Sequence, residues 1–400
     1  MIGTQLTATA IPLQVYEITH SSFAVGLTGL VAIFPMIAGG LFGGAVSDAV
    51  DRRRLVVATS SGLSLISLAL FVLALRGLAT VWPLYLIVGV QSALTAVDSP
   101  GRRAIIPNLV PPEILPAALG LEQVGFNTGL TFGPLLAGLA VAGGGFELAY
   151  GLDAVSFLAA VYGTLRLPSM RPAGGGTKAG LASVADGLRF LRGQPVVMMT
   201  FVVDLLAMIF GMPRALFPQI AHTQFGGGPR TAGFLYSAVA AGALLGAAVG
   251  GWFGRVRRQG LAVLVAVAAW GAAITLFGLT HHLALGLVLL AAAGAADMVS
   301  AVFRVAILNT ATPDGMRGRL QGVFIVVVAG GPRLGDLEAG VTASLVSPGF
   351  SVVSGGLACV VGVAALAAAV PSFRRYDDRL AIAARAEREA AGAASEPAPS

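Results

Sequence analysis

In the apolar run PVVMMTFVVDLLAMIF, Asp204 is the only ionisable residue, nine positions after Pro195. A carboxylate in such surroundings is costly, which leaves three uses for it: a proton site, a contact for a cationic ligand, or a partner for a buried donor. Ten residues on, Arg214 suits either an anionic ligand or an anchor at a polar boundary. Arg333 and Asp336 in AGGPRLGDLEAG share a helical face, where they either neutralise one another or take part in coupling. A second concentration of charge is GGAVSDAVDRRRLVV, Gly43 to Val57, set between two long apolar runs. Arg52 to Arg54 alone would read as a topology signal. Asp48 asks for more, because an acid at a helix end can accept from a neighbouring helix N-terminus or bond an arginine. The third pattern is Gly120, Gly129, Gly133, Pro134 and Gly138 in one run, echoed by Gly331 and Pro332. Small residues let helices approach closely in lipid and proline removes a backbone bond, so this is either tight packing or a hinge lining a path.

The remaining ionisable residues are simpler. Asp98 with Arg102 or Arg103, and Asp297 with Arg304, are placed to organise helix ends, and Glu122 and Asp153 lie within apolar runs nearer their ends. The four histidines fall in loops, and Cys359 is the only cysteine, so neither a disulfide nor a cysteine metal site forms within one chain. No G-x-x-x-x-G-K-[ST] loop occurs, and the GGG triplets lack the strand and helix a phosphate cradle needs. The residues call for no catalytic constellation, no metal and no cofactor.

What must position these groups is a set of membrane helices. Of 400 residues 56% are hydrophobic and 11% charged, and the mean hydropathy is +0.84. Apolar runs of the length a helix needs to cross about 30 Å of hydrocarbon recur throughout, and they do not alternate as barrel strands would. The expected spans are 1 to 16, 24 to 46, 55 to 75, 79 to 97, 115 to 142, 147 to 167, 195 to 219, 231 to 253, 261 to 280, 283 to 303, 320 to 346 and 350 to 371. The first reads as the outer half of a helix whose start is missing. All but Arg76, Arg214, Arg230 and Arg333 of the 25 basic residues fall on one side if both termini are cytoplasmic, which predicts an inner-membrane, multi-pass protein with an even number of spans. The basic residues are spread between apolar runs rather than gathered in a nucleic-acid patch.

The expected organisation is a six-helix half over 1–167, a cytoplasmic linker with a short amphipathic helix over 168–194, a second six-helix half over 195–371, and a charged, disordered tail over 372–400. The two halves share an internal similarity: RRAIIPNLVPPEILPAALG from Arg102 aligns with FRVAILNTATPDGMRGRLQ from Phe303.

Gly44, Asp48, Arg52 and Arg53 resemble the loop signature of the major facilitator superfamily, with Ala49 and Asp51 as departures. The helix-5 glycines and Pro134 resemble the antiporter pattern of that superfamily, and GMPRALFPQIA, GFLYSAVAAGALLGA and TPDGMRGRLQG resemble its enterobactin exporter and macrolide efflux branch. The resemblance covers nearly the whole chain. It implies a twelve-helix, all-α secondary transporter working by alternating access. Gly44, Asp48, Arg52 and Arg53 would close the cytoplasmic side, and export of a siderophore-like metabolite or amphipathic drug would be driven by proton antiport. Its partners would be that small molecule, protons and the bilayer, with no nucleic acid. Uptake or facilitated diffusion of a small solute, or a non-transporting sensor or assembly protein, are the alternative readings.

Overall fold

The structure, a computed structural model, describes residues 2–170 and 181–377, without the side chains of 41–49, 181–185, 252 and several positions between 314 and 329. The described residues form helices and no β-strand beyond one isolated bridge, Arg258 to Asp377. This is what a hydrocarbon solvent requires, since a helix satisfies its own backbone groups. Nine helices among the described residues are long and apolar enough to cross a membrane.

The first part of the chain builds α1 (Ile2–Thr19), α2 (Ser22–Ala49), α3 (Arg52–Leu75), α4 (Val81–Leu109) and α5 (Leu115–Leu165). α5 is two arms: Gly144 leaves helical geometry and Gly145 takes φ 72°, a left-handed backbone that glycine adopts without a Cβ clash. This is the boundary expected between residues 142 and 147. The short α6 (Leu181–Arg192) follows. Its Leu191 packs with Val197, Phe201, Leu320 and Val323, and Asp186 meets Arg189 at 3.1 Å and Arg319 at 3.5 Å.

The expected seventh span, 195 to 219, is interrupted. α7 (Pro195–Phe210) stops at Gly211, a 3-10 turn runs Arg214–Leu216, and α8 (Phe217–Thr223) resumes. Pro213 and Pro218 cannot donate backbone bonds. Where the helix stops, the Gly211 carbonyl accepts from the Trp270 indole at 2.9 Å. Then come α9 (Pro229–Ala248), α10 (Gln259–Leu279), α11 (Leu283–Ala311), α12 (Asp314–Leu345), α13 (Pro348–Ala369) and the one-turn α14 (Pro371–Arg374). The tail expected to be disordered from 372 is ordered at its start: Phe373 is buried and the Tyr376 hydroxyl lies 2.8 Å from that of Thr310. One aromatic residue with a pocket to fill outweighs the surrounding charge. Residues 378–400 lie outside the description.

Cores form between α1, α2, α3, α4 and α5 around Tyr150 and Leu84, and between α8, α9, α10, α11 and α13 around Phe217 and Phe277. Large apolar side chains such as Phe34, Trp82, Leu121 and Leu245 face outward, as a lipid solvent permits. Early and late helices meet along two seams, α2 on α12 and α5 on α9. At the second seam the backbones touch: a Cβ on Gly138 would stand 2.6 Å from the Pro229 carbonyl oxygen, and one on Gly233 2.8 Å from that of Pro134. At the first, Gly26 faces the Asp336 carbonyl and Gly340 that of Ser22, and the Ser22 hydroxyl bonds the Gln219 side chain. All these contacts lie toward the end of the bundle remote from Arg52 to Arg54. At the arginine end, the turn from Pro111 to Glu113 and most of the start of α5 stand exposed.

Candidate functional site

Between the seams lies a cavity of about 550 Å³ walled by α1, α2, α4, α12 and the Arg214 turn. Its α4 wall carries Gln91, Ser92, Thr95 and Ser99, of which Gln91, Thr95 and Ser99 recur every four residues and so share one helical face. That polar stripe inside an apolar run was visible in the sequence, yet it drew no attention because it holds no charge. Opposite stand Arg214, Arg333 and Asp336, with Ile11, Val25, Met36, Val88 and Val328 supplying apolar surface. The mixture suits an amphipathic small molecule with a few polar groups.

The break in α7 is what brings Arg214 here. The Tyr236 hydroxyl donates to the Arg214 carbonyl at 2.9 Å, and the guanidinium lies 6.0 Å from the Tyr236 ring centre, at the limit of a cation–π contact. Arg333 and Asp336, for which the sequence leaves mutual neutralisation and coupling both open, form no ion pair within 4 Å among the described residues. The Arg333 Nη2 instead lies 3.9 Å from the Met36 sulfur, and the Asp336 Oδ1 has no partner. Three positions along a helix place two groups on one side, but side-chain direction decides whether they meet. Here both address the cavity.

Asp204 is elsewhere. It is 6% exposed and ion-paired with Arg304 of α11, which also lies 3.6 Å from Asp297. These three groups line a smaller cavity of about 210 Å³ between α7, α11 and α12. The Asp297–Arg304 pairing follows from their spacing on one helix; the bond to Asp204 joins helices a hundred residues apart and has no local signal.

Arg52 and Arg53 hold helix ends. The Arg52 Nη1 donates to the Ala104 carbonyl of α4 at 3.1 Å, and Arg53 donates to the Leu165 carbonyl that ends α5. Cations at such carbonyls complement the negative helix terminus. Asp51 caps α3, accepting from the Arg54 amide at 3.0 Å, and it also accepts from the Ser169 hydroxyl at 2.5 Å and the Met170 amide at 2.9 Å. The Ser169 bond foremost, with the amide bonds, holds its carboxyl below the usual carboxylate range. Gly44 and Asp48 fall in 41–49, whose side chains lie outside the description. Asp98 meets Arg102, as its spacing suggests; it also accepts from Thr59 at 2.5 Å, and Arg102 donates to Ser60 at 2.7 Å.

The helix-5 glycines divide by environment. Gly133 faces Gln5 of α1, Gly138 faces α9, and Gly120 has no neighbour within 4 Å of a built Cβ. Gly129 and Pro134 are also buried. Asp153, assigned above only to a span, is fully buried and accepts from Thr7 at 2.5 Å and Ser67 at 2.7 Å, tying α1 and α3 to the second arm of α5.

Comparison with known proteins agrees with this architecture. The chain is 27% identical over 376 residues to the enterobactin exporter EntS of Shigella boydii, covering 94% of this chain and 90% of that one, and equally so to its Escherichia coli O1:K1 counterpart. Among solved structures, a peptide transporter superposes with TM-score 0.72 at 13% identity, covering 94% of this chain and 93% of that one. A nucleoside transporter gives 0.71 at 13% identity over 92% and 99% of the two chains. A bacterial homologue of the lysosomal transporter Spinster, in an inward-facing and unoccupied conformation, gives 0.67 at 15% identity over 94% of each. These are membrane transporters rather than enzymes. The family model for transmembrane secretion effectors matches residues 1–387: the chain belongs to that family of multi-pass transporters and has the major facilitator fold.

Proposed function

We propose that this transporter exports a siderophore-like metabolite or amphipathic drug across the inner membrane by alternating access, in exchange for protons. Twelve spans in two six-helix halves, 1–167 and 195–371, with both termini cytoplasmic, form the frame of the reading. The two arms of α5 raise the nine long apolar helices, which already include α7 with α8, to ten, and α1 and α12 supply the other two of that count. In this frame the touching seams α2–α12 and α5–α9 close the outer end, and Gly44, Asp48, Arg52 and Arg53 belong to the gate at the inner end.

The observation that carries the reading is the central cavity, where two guanidinium groups, Arg214 and Arg333, face a hydroxyl- and amide-bearing wall across apolar surface. Such a site holds the acidic edge of an otherwise apolar molecule, with charge-assisted bonds at the arginines. The EntS relatives are named as enterobactin exporters. The test is uptake into inverted membrane vesicles of a catechol siderophore, a macrolide and a lipophilic cation, with the pH gradient monitored. Accumulation of the siderophore or macrolide with dissipation of the gradient is expected. Folded protein that moves none of the three overturns the proposal.

A further inference from the structure

The smaller cavity holds a charge problem that cargo binding does not explain. Two carboxylates, Asp204 and Asp297, share one guanidinium, Arg304. Among the described side chains no other cation lines this cavity, whose α12 wall includes Phe324 and Val328. α10, which packs on α11, contains no ionisable residue, and α9 contains only Arg230, at its far end. On α12, Arg319 is engaged by Asp186, while Arg333 and Asp336 address the central cavity. With both acids ionised the cluster carries one uncompensated negative charge among apolar side chains, a state that a single proton neutralises.

The two acids are not equivalent. The Asp204 side chain is 8% exposed and closely bound to Arg304, whereas that of Asp297 is 45% exposed, opens on the cavity, and lies 3.6 Å from the shared guanidinium. Arg304 follows Asp297 by two helical turns, and long side chains on a helix lean toward its N-terminus, so the guanidinium sits between α7 and the carboxyl of its own helix. Its Nε, and the Ser300 hydroxyl one turn away, are buried without hydrogen-bond partners. The cluster therefore has donors to spare for a second arrangement.

We infer that Asp297 is the group that binds and releases the exchanged proton, with Arg304 and Asp204 as the positioning pair that passes its state to α7. This rests on the proton-coupled reading above. The step is one proton exchanged between solvent in the side cavity and an Asp297 carboxylate oxygen. Neutral Asp297 releases its claim on Arg304, which then holds Asp204 alone and locks α11 to α7. Ionised Asp297 draws the guanidinium back along α11 and loosens that lock. Asp204 and the Arg214 turn belong to one broken helix, so the proton state reaches the cargo cavity through α7 although, among the described residues, the two compartments share Val328 alone as a lining residue.

The test needs no cargo. Infrared difference titration of the purified full-length protein, followed at the protonated-carboxyl stretch, reports each titrating acid. Asp297→Asn is expected to lose one titrating component, whereas Asp204→Asn keeps it. Asp297→Glu restores it, and Arg304→Lys keeps it at a displaced midpoint, which a purely structural Arg304 would not cause. Spectra of folded Asp297→Asn that superimpose on those of the wild type at every pH, or a component lost in Asp204→Asn, overturn the assignment. Because the measurement is made without transport, failure of every cargo in vesicles leaves its outcome separate.

Discussion

Gly138 of α5 and Gly233 of α9 meet backbone to backbone: a Cβ on Gly138 would lie 2.9 Å from the Gly233 Cα, and one on Gly233 3.0 Å from that of Gly138. Nothing bulkier than hydrogen fits without moving a helix, because the atoms in the way are main chain.

Gly138→Val should therefore part α5 from α9 and favour the state in which that end of the bundle is open. With Cys359 replaced by serine and a cysteine placed at cavity residue Thr28, labelling by a membrane-impermeant thiol reagent from that side should rise at least several-fold. An unchanged rate would mean that the seam does not control access.

The Asp98–Arg102 pair, with Thr59 and Ser60, fastens α3 to α4. Asp98 is buried but the Arg102 side chain is 35% exposed, so truncating either member removes charge-assisted hydrogen bonds worth about 1.5–3 kcal/mol. Asp98→Ala and Arg102→Ala should each lower the thermal midpoint in detergent by several degrees. The double variant should fall well short of the sum, because both changes break one network.

Asp51 should act as a clamp at neutral pH. Its folded-state pKa is depressed, so its contribution is complete above the ordinary carboxylate value and is lost only as pH falls through the lower folded one. Asp51→Ala should cost about 1 kcal/mol through the lost helix cap and speed proteolysis between residues 168 and 194. Asp51→Asn should retain most of the cap, and limited proteolysis followed by mass spectrometry separates the two.

Arg214 and Arg333 should matter to binding more than to folding. Arg214→Gln and Arg333→Gln are each expected to raise KM for an anionic cargo about tenfold, the loss of one charge-assisted bond, with little change in KM for a lipophilic cation. Equal effects on both cargo types would place the arginines in the scaffold rather than in the cavity wall.

Much of the frame was legible because lipid imposes it. Apolar run length gave the helices, and the Gly143 to Gly145 triplet marked the turn inside α5. For Asp98 the sequence leaves Arg102 and Arg103 open, and the i,i+4 neighbour Arg102 is the one it meets. What escaped was decided by contacts distant in sequence or by side-chain direction. Asp204 announced its importance through its apolar surroundings, but Arg304 could be matched to it only once α7 and α11 lay side by side. Arg333 and Asp336 had the spacing of a pair and stay apart, since both turn to the cavity. The break at Gly211 to Pro213 had its glycine and proline in view, yet a continuous span of the right length hid it.

The clamp at Asp51 also sets a length. Met170 is rooted beside Val56 and Ile105, and the chain is seated again at α6, where Gly187 lies against α12 and Leu191 against α7 and α12. Ten residues, 171–180, separate the root from the start of α6, and ten residues of any chain span at most roughly 36 Å. On the proposed alternating-access reading, that span bounds how far Met170 and α6 can part. Shortening it by half should arrest the cycle without touching either cavity.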